Sequence, residues 1–389
     1  MRILHTSDWH LGRSFHREDM LGAQADYVDH LMAVVEEERV DLVVVAGDVY
    51  DRALPQVDAV RLADETFARL AASRAKVMVT SGNHDSAQRL GFGSRLIDAA
   101  GVFIRTDVAT VGTPVLLDDP AGAVAVYGIP YLDPDAARAR WGLRTRSHEA
   151  ALTTAMTRVR SDLSTRAAGT RSVVLAHAFV AGCRPSDSER DISVGGVSLV
   201  PTSVFDGVDY AALGHLHGRH TRTARVRYSG SPLAYSFSEA DQLKGSWLVG
   251  LDAAGGVEAE FVEAPVPRPL ARLRGTIEDL LSNPAFGRHQ ASYVQAVLTD
   301  DHRPVQAMER LRARFPHALV LAFEPARSTT DPAPRARTTG ATDHAIALDF
   351  VADLRGTPAS TAESALLREA VDACCVDADA DPLVARTAG

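Results

Sequence analysis

The chain has 389 residues, of which 46% are hydrophobic and 23% charged, with a formal net charge of −9. That length allows two or three domains and at least one large core, and the composition is that of an ordinary globular protein. The acidic balance counts against a protein that holds nucleic acid by bulk electrostatics, although residues 341–389 contain nine Asp/Glu against three Arg and so carry most of the excess. No run approaches the roughly 18 apolar residues that span a bilayer, and the opening MRILHTSDWH has no apolar export run. Three cysteines, two of them adjacent at Cys374 and Cys375 and the third at Cys183, fit a reduced compartment. The expectation is a cytoplasmic protein that makes no use of a membrane.

In chain order, strands are expected at 2–6, 42–46, 76–80, 123–129, 172–176, 210–213, 226–228, 247–251 and 257–262. Helices are expected at 24–38, 57–72 and 149–163. In the first helix Val28, Leu31, Met32 and Val35 share one face. This alternation predicts an α/β layered fold with its site at the C-terminal ends of the strands. Three prolines between 264 and 269 mark a boundary. Beyond it, strand, helix, strand, helix and strand (270–274, 277–281, 293–298, 304–314, 318–323) read as a small α/β domain. Residues 326–340, ARSTTDPAPRARTTG, read as a linker. The segment 341–389 holds two short amphipathic pieces, 346–354 and 361–371, whose apolar faces suit docking on another surface. The expected division is therefore 1–263, 264–325, linker 326–340 and tail 341–389.

Five segments pair an apolar strand with a terminal metal-type ligand. They are ILHTSDWH with Asp8 and His10, LVVVAGDVYD with Asp48, VMVTSGNHD with Asn83 and His84, VVLAH with His177, and YAALGHLH with His215 and His217. Parallel strands bring such ends to one edge. Gly47, Gly82 and Gly214 stand beside ligands at sharp strand exits, where positive φ is expected. Seven groups, Asp8, His10, Asp48, Asn83, His177, His215 and His217, suit two ions that keep open positions for water and substrate. Ligation by His and carboxylate without thiolate favours Mn, Fe or Zn over Ca or Mg. Two ions about 3.5–4 Å apart clamp an in-line displacement at phosphorus.

The series D-x-H, G-D, G-N-H-D, H, G-H-x-H resembles that of the calcineurin-like metallophosphoesterases, whose fold is a layered α/β-β-α sandwich. Carried over, the resemblance gives one ion Asp8, His10, Asp48 and His217. The other takes Asp48, Asn83, His177 and His215, with Asp48 bridging. His84 takes the place of the catalytic histidine that holds the phosphate or protonates the leaving oxygen. Asp85 takes the place of a group that orients it. RILHTSDWHLGRSF and YSGSPLAYSFSEA (228–240) further resemble the SbcD-like nucleases, as does the small domain followed by a charged helical tail. That resemblance implies a manganese-dependent DNA nuclease, acting 3′ to 5′ on double-strand ends and endonucleolytically on single strands or hairpins. It implies work in DNA repair, replication and recombination, as a homodimer within a heterotetramer whose other subunit is an SbcC-type coiled-coil ATPase. The small domain would cap the DNA-binding face and the tail would bind the ATPase. ATP would be used there, since this chain has no G-x-x-x-x-G-K-[ST].

The rival readings are a phosphoesterase for small phosphoesters or phosphoproteins, and a non-catalytic DNA-end tether. The tether should lack a ligand or the catalytic histidine, and neither is missing. The nine histidines without a motif role, His5 among them, read as ordinary residues, as does Cys183. Asp51 reads as holding its loop, capping the helix that follows at Pro55 or contacting substrate, with a structural role favoured. Arg13, His16 and Arg17, and the cluster Arg219, Arg222, Arg225 and Arg227, read equally as solvated surface or as contacts to a phosphate backbone.

Overall fold

The computed structural model describes residues 1–183, 185–192, 199–325 and 341–378. The expected linker 326–340 and the final residues 379–389 lie outside them.

Two six-stranded sheets form the body. The first runs Val257–Glu263, Gly245–Leu251, Arg2–Thr6, Leu42–Ala46, Lys76–Thr80, Val102–Arg105. The second runs His220–Thr221, Val226–Tyr228, Tyr210–Gly214, Arg171–His177, Gly122–Ile129, Val115–Asp119. Each contains four neighbouring parallel strands; in the first sheet two antiparallel strands follow on one side, and in the second one antiparallel strand closes each edge.

Alternation explains the layering. Leu42–Ala46 is buried throughout. Its period of two sends Leu42 and Val44 into the layer between the sheets, where they join Ile3, Met78, Val173 and Leu175. Val43 and Val45 point the other way, into a cluster with Leu31 and Val35 of helix Leu21–Glu37 and Ala63 and Leu70 of helix Val57–Ala72. The second sheet repeats the arrangement, with Val174 and Ala176 against Ala151, Leu152 and Met156 of helix His148–Leu163. A continuous apolar run is what a strand covered on both faces requires. The result is the layered α/β sandwich, helix–sheet–sheet–helix.

The small layer is a parallel sheet of Leu270–Gly275, Tyr293–Leu298 and Ala318–Phe323 with helices Ile277–Ser282 and Ala307–Arg314. It has its own core around Leu273, Leu280, Val294, Leu311 and Phe315. Leu270, Tyr293, Leu319 and Val320 pack on Phe15, Met20, Leu233, Tyr235 and Phe237. The layer therefore belongs to the same compact unit as the sandwich, Met1–Pro325. Its second helix begins at Ala307 rather than near 304, because Gln306 takes a left-handed φ of 50° just before it.

The second unit's described part is a pair of helices, Asp343–Arg355 and Thr361–Ala378. Arg355 bridges to Glu363, whose carboxylate accepts Ser360 N at 2.7 Å, and His344 Nε2 bonds Ser364 O at 2.9 Å. Phe350 and Leu366 are exposed. No helix among the described residues is long and apolar enough to cross a membrane.

Candidate metal centre

The ligand-type residues stand just beyond, or at, the C-terminal ends of five parallel strands, and the structure brings all seven together. Asp8 N and His10 N donate to Gly47 O and Asp48 O, each at 3.0 Å, which ties the first exit to the second. His84 N donates to Asp48 Oδ1 at 2.8 Å, and His215 N to Asp8 Oδ1 at 3.0 Å. Three overlapping groups have ligand atoms within 4.8 Å of one another: Asp8, His10 and His217; His10, Asp48 and His84; Asp8, Asp48 and His177. Asn83 Oδ1 lies 2.9 Å from His177 Nε2 and 3.1 Å from His215 Nδ1.

The backbone is strained here. Asp8, His10, Asp48 and His215 have φ of 54°, 47°, 52° and 103°, conformations that cost about 1–3 kcal/mol each and persist only where the surrounding structure over-determines them. Of the three glycines expected to take positive φ, only Gly47 does, at 87°. Gly82 is needed for close approach instead, since a Cβ there would lie 2.1 Å from Asp48 Oδ1.

The donor chemistry fits a cation. His177 Nδ1 donates to Ala46 O at 2.9 Å. A neutral ring therefore aims the Nε2 lone pair at Asn83 Oδ1 and at Asp48 Oδ2, 3.4 Å away. Burial alone would lower the His177 ring, but Asp48 and Asp8 raise it to about 9, so positive charge is favoured at that point. His10 Nε2 and His217 Nε2 face each other at 3.0 Å. His10 Nδ1 and Asn83 Nδ2 are buried without a hydrogen-bond partner. Burial holds His10 and His215 far below the usual imidazole value, the neutral state that binds metal. Burial pushes Asp48 up, but the His177 ring and then His10 and His84 outweigh it and keep the carboxylate ionised.

Asp85 does not orient His84. Its carboxylate accepts Val49 N, Tyr50 N and Gly82 N at 3.1, 2.9 and 2.9 Å, bracing two of the strand exits. The His84 ring is held by the other aspartate, through Nδ1 donating to Asp51 O at 2.7 Å. That bond leaves Nε2 as the nitrogen available to substrate. The backbone carbonyl of Asp51 thus fixes the His84 ring.

Sequence reasoning missed the residues around His217. Ser188, Glu189, Glu239 and Lys244 surround it, and they come from irregular loops whose pairing no periodicity announces. Glu239 lies within the 228–240 segment, the one signal that could have drawn notice. Arg13 donates to Ser188 O at 2.8 Å and lies over the Tyr235 ring, with Nη1 unpartnered. The later arginines are engaged by the fold. Arg219 lies 4.3 Å from the Phe261 ring centre and Arg227 4.7 Å from that of Trp247, Arg225 pairs with Asp209, and Arg222 donates to Gly182 O.

Residues 1–219 match the family model described as calcineurin-like phosphoesterase. The chain belongs to the calcineurin-like phosphoesterases. As such it is a phosphoester hydrolase of a family that uses divalent metals, which agrees with the buried Asp and His cluster. Residues 266–349 match a second model, the Type 5 capsule protein repressor C-terminal domain (SbcD_C). Solved structures similar to this calcineurin-like chain include TT1561 of Thermus thermophilus, at 13% identity over 67% of this chain and 98% of that one, with a TM-score of 0.38. GAP50, the anchor in the inner membrane complex of Plasmodium, gives 12% identity over 86% and 99%, with a TM-score of 0.41. A dimetal phosphatase from Danio rerio gives 16% identity over 64% and 92%, with a TM-score of 0.37.

Proposed function

We propose that this phosphoesterase is a cytoplasmic DNA nuclease of the SbcD type, working with an SbcC-type coiled-coil ATPase in repair, replication and recombination. The observation that carries the reading is the order of the two matched families on one chain, a calcineurin-like body followed by the SbcD_C region. Its small layer also packs on the segment Leu233–Phe237, beside the ligand cluster.

In this reading Asp8, His10, Asp48 and His217 hold one divalent ion. Asp48, Asn83, His177 and His215 hold the other, with manganese as the preferred metal. When bound, the ions neutralise charge on the phosphodiester and make water a stronger nucleophile. The chain's own residues do the rest. Asp51 O fixes the His84 ring by Nδ1, so a protonated ring presents Nε2–H to a phosphate oxygen or to the leaving oxygen. Asp85 keeps the two strand exits at a fixed separation. Arg13 Nη1, unpartnered next to this centre, suits a further phosphate oxygen.

Two features support the partner assignments. Leu54, Val57, Val60, Phe92 and Leu96 are exposed, and Arg89 donating to Ala53 O joins the segments that carry them. This apolar face suits a second copy of the chain. The helical pair 343–378, with exposed Phe350 and Leu366, suits the ATPase.

The test is cleavage of blunt and hairpin duplexes with manganese, with and without the ATPase, beside phosphomonoesters and a phosphopeptide. DNA should be cut, endonucleolytically at hairpins and 3′ to 5′ at ends. Turnover of the small esters with intact DNA would establish the rival phosphatase reading.

A further inference from the structure

We propose that Ser188, Glu239 and Lys244 form a side-chain relay that fixes the tautomer and position of the His217 ring and thereby sets the affinity of one metal site. They are positioning residues. The inference rests on the proposed reading of His217 as a ligand.

The proton count gives the direction of the relay. Ser188 Oγ lies against Glu239 Oε1 and 2.9 Å from Ser186 Oγ; the carboxylate is the stronger acceptor and can only accept, so the single hydroxyl proton points to Glu239. The same oxygen lies 2.5 Å from His217 Nδ1 and must therefore accept from it. His217 then carries its proton on Nδ1 and presents a bare Nε2 towards His10 Nε2, 3.0 Å away. Lys244 Nζ holds the second oxygen of Glu239 and also donates to His217 O at 2.8 Å, so it grips both ends of the arrangement.

Two comparisons argue against a merely structural role. His177 and His84 are oriented by backbone carbonyls, Ala46 O and Asp51 O, whereas His217 is oriented by side chains. Ser188, Glu239 and Lys244 are all buried, at 8%, 1% and 8% exposure. A buried ion pair contributes little stability compared with apolar residues of the same volume. Its use lies in what it holds, and partners that orient a metal-binding histidine commonly set affinity by 10–100-fold.

The experiment uses the full chain, titrated with Mn²⁺ by calorimetry, with unfolding temperatures taken metal-free. Ser188→Ala should weaken one Mn²⁺ site by about 10–100-fold; it also leaves buried partners without a hydrogen bond, so its metal-free unfolding temperature should fall modestly. Ser188→Thr, which keeps the hydroxyl, should restore the affinity. Glu239→Gln alone leaves Lys244 charged and buried, so it is made together with Lys244→Met; this pair should weaken the same site. Ring ¹⁵N signals should show His217, identified by their loss in His217→Ala, as the Nδ1–H tautomer in the parent and as a mixture in Ser188→Ala. If Ser188→Ala titrates like the parent while His217→Ala loses a site, the relay is wrong and the metal assignment stands. If His217→Ala keeps both ions, the ligand assignment itself fails.

Discussion

The strand bodies and the strand exits of the sandwich follow opposite rules. Along Leu42–Ala46 every side chain is apolar and fully buried, and the alternation of faces satisfies both layers. Two residues further on, Asp48 is equally buried but charged, left-handed in φ and surrounded by other titratable groups. The body lowers the free energy of the fold, and the exits consume part of that gain to hold groups that would be more stable in water. Stability and chemistry are thus separated within a few residues of one strand.

That separation can be broken experimentally. The largest effect is expected from Asp48→Ala, which should remove both ions together and abolish hydrolysis if the proposed bridging role holds, since Asp8, His10, His84 and His177 all lie close to this carboxylate. Metal analysis retaining one ion at full occupancy would show that it does not bridge. Next, His84→Gln should lower single-turnover cleavage by about 10²–10⁴-fold while calorimetry still finds two ions; cleavage at the parent rate would remove His84 from the mechanism. In the body, Val44→Ala should cost about 2–3 kcal/mol in denaturant unfolding without altering metal affinity per folded molecule. A parallel loss of affinity would mean that the two regions are not separable.

Asp119→Asn tests a charge at the body's far end. The Arg171 guanidinium holds this carboxyl far below its ordinary value, outweighing burial. A depressed carboxylate stabilises above the unfolded-state pKa, about 4, and loses that contribution as pH falls through the folded value. The variant should therefore lose about 3 kcal/mol at pH 7, and the gap to the parent should narrow progressively below about pH 4. An equal gap at pH 2.5 and pH 7 would assign the loss to packing. The smallest effect on the enzyme should come from deleting 341–389. Manganese-dependent cleavage should stay within about twofold, while co-purification with the proposed ATPase partner is lost. Retained co-purification would place the ATPase contact elsewhere.

Much of this was legible in the chain because it rests on local periodicity. Val43, Val44 and Val45 announce a strand covered on both faces, and an apolar run ending in Asp48 or His177 announces a ligand at its tip. Short or edge elements were missed. Val102–Arg105 and Val115–Asp119 are too brief to show a pattern, and helix Pro134–Trp141 is mostly Arg and Ala with only Pro134 and Ala137 buried. What steadies the ligands was also hidden. Whether His84 meets the carboxylate of Asp85 or the carbonyl of Asp51 depends on the path of a loop, and Ser188 reaches His217 only through tertiary packing.

The proposed ligand set runs from Asp8 to His217, so the cluster exists only after most of the first unit has closed on itself. Its geometry is a product of long-range contacts, which form late and slowly in parallel β topologies. An unfolded chain holds no comparable site, and ions at 100 times their dissociation constant would shift the folding equilibrium by about 2.7 kcal/mol per site. Chelation should then act as a mild denaturant, drawing down the melting temperature of the first unit while the paired helices, which supply no ligand, keep theirs.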